Sequence, residues 1–242
     1  MALPKAVVEV AEESLILRGE DQANDLWLWE HAQRVRHLAQ MLALLPEARE
    51  IGGDQPDQTA VALAALFADA GWAVQVTRGE VDHWQVLSRP TNEIQRELGV
   101  GALQDHASAL LPPDTVGIAV RAIRECNDRY TKCPEARVLS EAENLDEIGI
   151  MYVLRQFRQY QAEGRPLERL LASWTRHREY HYWDARINDC LRWETTRHIA
   201  RARLEAVGQF MTALARDRDA ADLRHALKSV GIDTSSILAR PT

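Results

Sequence analysis

Apolar residues recur at steps of three and four along most of this chain, the spacing that gathers them on one face of a helix. Over 5–18, Val7, Val8, Val10, Leu15 and Leu17 predict a first helix that Gly19 stops. Asn24 or Asp25 then caps a longer helix running to about Leu45, where Pro46 ends it. Its apolar positions are Trp29, Ala32, Val35, Leu38, Leu42 and Leu45, with His31 on the border of that face. A loop over 52–57 follows, and Asp57 is placed to cap the most apolar helix of the chain, which crowds its apolar residues into 63–67. Short helices are predicted around 92–98 and 101–110, with His83 and His106 on polar, exposed faces. Pro112-Pro113-Asp114 opens another helix, periodic through Val116, Ile118, Val120 and Ile123. A long helix over 136–163 and a polar, aromatic-rich helical remainder complete an all-α reading.

Composition narrows the picture. The 242 residues include 9 prolines and 12 glycines and no Gly/Ser/Pro tract, which predicts a single helical domain over 1–242. A net charge of -7 argues against sequence-independent nucleic-acid binding. Cys126, Cys133 and Cys190 are odd in number and lack zinc-knuckle spacing, so they read as free thiols of a reducing compartment. No apolar leader precedes Glu9, Glu12 and Glu13, and the longest apolar run, 60–68, falls short of the roughly 20 residues of a membrane span. The expectation is a cytoplasmic protein with no membrane partner.

The candidate chemistry begins at Asp69, a carboxylate closing an apolar segment with no basic neighbour in sequence. Such a group is costly unless it is paired, hydrogen-bonded or bound to a cation, although it also fits a turn opened by Gly71. The stretch from Leu63 through Ala68-Asp69-Ala70-Gly71 is similar to the "A-L-L-H-D-I-G" helix of the HD-domain metal-dependent phosphohydrolases, with Ala68 standing where that family has a histidine. His31-Ala32-Gln33-Arg34-Val35 resembles the family's "H-x-x-R-V" helix. Ile123 to Asn127 resembles an "I-x-x-H" ending in which Asn127 replaces the histidine. The stretch from Leu139 to Gly149 resembles "D-A-D-R-L-D-A-L-G", with Glu141 and Glu143 for the two aspartates and Asn144 for the arginine. Residues 195–211 are similar to a closing helix of the same branch. The resemblance spans about 24–212, leaving 213–242 as a C-terminal helical extension.

That resemblance implies an HD-domain-like helical bundle in which His31, Asp69 and Glu143 are the remaining ligands of a divalent metal: iron, manganese, magnesium or zinc. Asp69 would also be the catalytic carboxylate. Ala68 brings no donor, and Glu143 reaches one methylene further than aspartate. Arg34 of the first motif, with Arg186 and Arg197 of the basic C-terminal region, are the candidates for binding a small phosphorylated ligand, because guanidinium forks suit phosphate oxygens. His177 and His181, four apart, suit one helix face and a zinc ion, but no carboxylate completes a familiar site. The resulting reading is a catalytically weak or inactive ligand-binding or regulatory relative of these phosphohydrolases. Its alternatives are an active metal-dependent phosphohydrolase on a nucleotide or small phosphate ester, and a helical protein-interaction module.

Overall fold

The computed structural model describes residues 3–19, 23–49 and 55–233. The first part of the loop expected over 52–57 and the end of the C-terminal extension lie outside them. Helix α1 (Lys5–Leu15) ends three residues before its expected stop, because Leu17–Arg18 (β1) leaves it to pair antiparallel with Asn24–Asp25 (β2). Helix α2 spans Trp27–Leu42. Its N-cap is Leu26, with no side-chain cap bond, rather than the expected Asn24 or Asp25, which lie in β2; Asp25 still accepts a hydrogen bond from the Trp27 backbone N–H at 3.0 Å. Helix α3 (Gln58–Phe67) is capped as expected, the Asp57 carboxylate accepting from Thr59 and Ala60 N–H.

The chain breaks at Ala68–Asp69 and resumes as α4 (Ala70–Thr77). Together 58–77 is long and apolar enough to cross a bilayer, more than the short run read in the sequence, yet 83% of it is buried inside the protein. Helix α5 is one continuous element, Glu93–Ala107, with a 3₁₀ turn at Ser108–Leu110, where two helices were expected. Asn92 starts it with a capping box: its side chain accepts from the Gln95 N–H, and the Gln95 side chain accepts from the Asn92 N–H. Helix α6 (Pro113–Glu125) begins at the expected proline.

The long helix expected over 136–163 is two helices, α7 (Pro134–Asp146) and α8 (Ile150–Ala162). Gly149, at φ 127°, turns the chain between them, a backbone conformation that side-chain-bearing residues avoid. Helices α9 (Leu167–Glu179), α10 (Tyr182–Cys190), α11 (Glu194–Arg218) and α12 (Ala221–Ser229) complete the chain.

Two buried apolar clusters result. The first joins α1 to α7 and contains the α3 face, Trp72, Leu103, Ile123 and Leu139. The second joins the end of α7 to α8–α11 around Val153, Trp174, Trp183, Ile187 and Val207, and Leu38 packs against both. Glu141, fully buried, ties the clusters together: it accepts from the Arg192 N–H at 2.6 Å and the Thr196 hydroxyl at 2.5 Å, where α11 begins.

The crossing of α3 and α4 with α5 sets the site's geometry. A Cβ on Gly71 would lie 2.0 Å from the Gln95 carbonyl oxygen, and one on Gly99 would lie 2.5 Å from that of Phe67. Only glycine permits that approach. Gly117, in α6, faces open space. We therefore expect Gly71→Ala or Gly99→Ala to lower stability by at least about 2 kcal/mol. Gly117→Ala should instead raise it by about 0.5–1 kcal/mol through helix propensity. Urea unfolding midpoints of the three variants measure both.

Candidate functional site

His31 and Arg34 lie one helical turn apart on α2 and face Asp146, at the end of α7. His31 Nδ1 is 2.9 Å from Asp146 Oδ2, and its Nε2 is 3.0 Å from Asp69 Oδ2. Arg34 donates Nε to Asp146 Oδ1 at 3.0 Å. An imidazole facing carboxylate oxygens through both nitrogens must donate from both, so His31 is an imidazolium. Burial alone lowers its pKa, but hydrogen bonds and charge from Asp146 and Asp69 outweigh it and hold the pKa above 6.5.

The break between α3 and α4 presents the Asp69 carboxylate sideways to this group. Asp69 precedes α4 but does not cap it with its side chain, because its oxygens are engaged elsewhere. Oδ1 accepts from the Thr91 hydroxyl, which itself accepts from Trp72 Nε1 at 2.9 Å, and from Arg96 Nη1 at 3.4 Å. Burial would raise the Asp69 pKa; Arg96, His31 and Thr91 reverse that and hold it well below the usual carboxylate range. Asp146 is likewise held low by His31 and Arg34 against its burial. Arg96 reaches across from α5 and forks onto Glu143, Nη1 to Oε1 at 2.7 Å and Nη2 to Oε2 at 2.6 Å. Burial pushes the Glu143 pKa up, so its ionised form depends on that fork.

Around these groups lies a cleft of about 70 Å³, lined by Thr91, Asn127, Asn144, Glu147 and Arg155 as well as His31, Asp69, Arg96 and Glu143. Arg186, from α10, and Arg155, from α8, both bond Glu147, the latter at 3.2 Å. Arg89 stands at its edge over the Trp72 ring. The carboxylates Asp69, Glu143, Asp146 and Glu147 are thus outnumbered by the His31 imidazolium and Arg34, Arg96, Arg155 and Arg186.

The three expected ligand positions do meet in the interior. His31, Asp69 and Glu143 share the cleft, with Arg186 and with Asn127 at its edge. Arg34 is placed behind it, paired with Asp146, and Arg197 does not line it, donating instead to the Leu191 carbonyl at 2.9 Å. His177 and His181 do not share a helix face, because α9 ends between them and His181 sits in a left-handed turn. His83 is half-buried rather than exposed, and His106 is exposed. Sequence reasoning missed Arg96, Thr91, Asp146 and Arg155. A signal for Arg96 existed in its place on the buried stripe with Gly99, Val100 and Leu103. For Asp146 it was the helical step of three from Glu143.

As arranged, these donors do not fit a resident divalent metal. The Arg96 guanidinium fills the space between Asp69 and Glu143, both His31 nitrogens face carboxylates, and Ala68 is wholly buried. Among the described residues no group of three or more His, Cys, Asp or Glu is set to hold a metal.

Fold and site together define an all-α protein with a buried, arginine-rich charge cluster. No known family model matches the sequence, and no curated protein matches it. Among solved structures the fold is similar to that of Bacillus subtilis YpgQ in complex with ADP, with a TM-score of 0.53 and 20% identity, covering 87% of this chain and 95% of that one. It is also similar to the Lin1889 protein from Listeria innocua, with a TM-score of 0.50 and 18% identity, covering 90% of this chain and 98% of that one. At these identities the likeness establishes the helical fold.

The charge cluster makes stability depend on pH in a defined way. The His31 contribution is complete below its unfolded pKa of 6.5 and is lost as pH rises through the higher folded value. Those of Asp69 and Asp146 are complete above their unfolded 3.8 and are lost as pH falls through the lower folded values. Unfolding free energy should therefore be greatest between pH 3.8 and 6.5 and decline toward alkaline pH. His31→Gln should lower the maximum and flatten the alkaline decline, and Asp146→Asn should cost about 3–5 kcal/mol by stranding its buried partners. Chemical denaturation across pH reads each effect.

Proposed function

We propose that this chain is an HD-domain-like protein that binds a small phosphorylated ligand without a resident metal and with little or no hydrolytic activity. The observation that carries this is the excess of positive charge around the cleft, supplied by fixed guanidinium groups. Arg155 also lines it, with its guanidinium bonding Glu147 at 3.2 Å. A phosphoryl group carries several acceptor oxygens and a localised negative charge, which such donors match. The cleft volume, about 70 Å³, admits a phosphoryl group and not a nucleoside. The ligand is thus held by its phosphate, with the remainder lying outside over Arg89 and Asn127. The ADP bound in the YpgQ structure supports this ligand class.

Turnover is disfavoured by the state of the candidate base. Asp69 is only 6% exposed, and its lone pairs are engaged by Thr91, Arg96 and His31. A carboxylate held that far below its usual pKa is a weak proton acceptor. His31, already protonated, is no base either.

Isothermal titration calorimetry with ADP and with pyrophosphate tests the reading. Both should bind in the presence of a chelator, and adenosine should not. Arg155→Ala and Arg186→Ala should each weaken binding by about tenfold, the loss of one charge-assisted hydrogen bond. Absence of binding by any phosphorylated compound, or binding indifferent to both substitutions, would reject it. Metal-dependent release of phosphate abolished by Asp69→Ala would establish the active-enzyme alternative instead.

A further inference from the structure

Arg96 is the cation on which two carboxylates from different helices converge. Its Nη1 is 3.4 Å from Asp69 Oδ1 and 2.7 Å from Glu143 Oε1, while the other Asp69 oxygen faces His31 Nε2 at 3.0 Å. Asp69 lies at the α3–α4 break, Glu143 is on α7 and His31 is on α2. Two carboxylates converging on one positive point supply oxygen donors of the kind that hold a divalent cation. Here a guanidinium fills that point.

The placement of Arg96 is imposed by the backbone. Gly99, nearly one helical turn along α5, lets that helix approach the Phe67 carbonyl more closely than any Cβ would allow. The root of the Arg96 side chain is therefore fixed against α3. Arg96 is itself only 5% exposed, and its Nε has no protein partner. Its role is thus centred on the two terminal nitrogens that the carboxylates share.

We propose that Arg96 is a built-in cation: its guanidinium permanently fills the position at which Asp69 and Glu143 would otherwise share a divalent metal. Removing it converts a metal-independent site into a metal-requiring one. Metal–oxygen bonds of about 2.0–2.2 Å are shorter than these N–O contacts, so the carboxylates must close inward. Glu143, one methylene longer than aspartate, has the reach. Ala68→His alone leaves the guanidinium in place, so it gains no metal.

The inference rests on the reading of this cleft as the functional site, but metal content and melting temperature read it whether or not a phosphorylated ligand binds. Arg96→Ala is expressed and purified with manganese(II) throughout, and then melted with manganese(II) or with chelator. Its melting temperature should rise by about 5–10 °C at roughly 100-fold excess over the dissociation constant. Elemental analysis should find one manganese per chain, and Glu143→Gln added to the same variant should remove most of the rise. The full-length wild type and Arg96→Lys, which keeps a positive charge, should melt alike with and without manganese(II). Arg34→Ala, which breaks the neighbouring pair with Asp146, should be destabilised and not rescued. The proposal is overturned if Arg96→Ala cannot be recovered even with manganese(II), or melts alike with and without it. Rescue of Arg34→Ala to the same extent would also overturn it.

Discussion

The structure depends on keeping buried charge neutralised at the meeting point of its helices. A buried ion costs several kcal/mol to desolvate, and only close, well-aligned partners offset that. His31 holds Asp69 to Asp146, and Arg96 holds Asp69 to Glu143, so α2, the α3–α4 break, α5 and α7 are joined by one ionic network. Each carboxylate relies on a partner from another helix. No single member of the network can be removed without leaving a charge behind, and this makes the arrangement of the four elements specific as well as stable.

The same network separates the sequence motifs from the chemistry they imply. The motif positions suggest a site built around a metal, and the interior brings three of them together. What the interior holds between them is an arginine. In the proposed reading the guanidinium orients a phosphoryl group, a role that does not extend to lowering the pKa of a bound water as a metal does.

Much of the fold was legible because it is encoded locally. Asp57 caps α3, Pro113 opens α6, and the apolar run before Asp69 marks the core helix. The break at Gly149 was hidden because apolar spacing continues on both sides of it, and an isolated glycine is tolerated in a helix. The site was half legible for a related reason. His31, Asp69 and Glu143 carry recognisable neighbours in sequence, whereas Arg96 and Asp146 have weaker local signals and find their partners far away along the chain, Asp146 lying 115 residues from His31. Arg34 illustrates the converse: its motif was clear, but its partner, Asp146, was not.

The contact of α4 and α3 with α5 through Gly71 and Gly99 also bears on how such a protein can change. Exchange of a charged side chain in the cleft strands its buried partner but leaves the backbone where it is. The glycines have no such latitude, because any larger residue pushes two helices apart and displaces Asp69 and Arg96 together. The helix crossing is therefore as much a part of the cleft as the charges that line it, and a change that touches no charged side chain can still undo it.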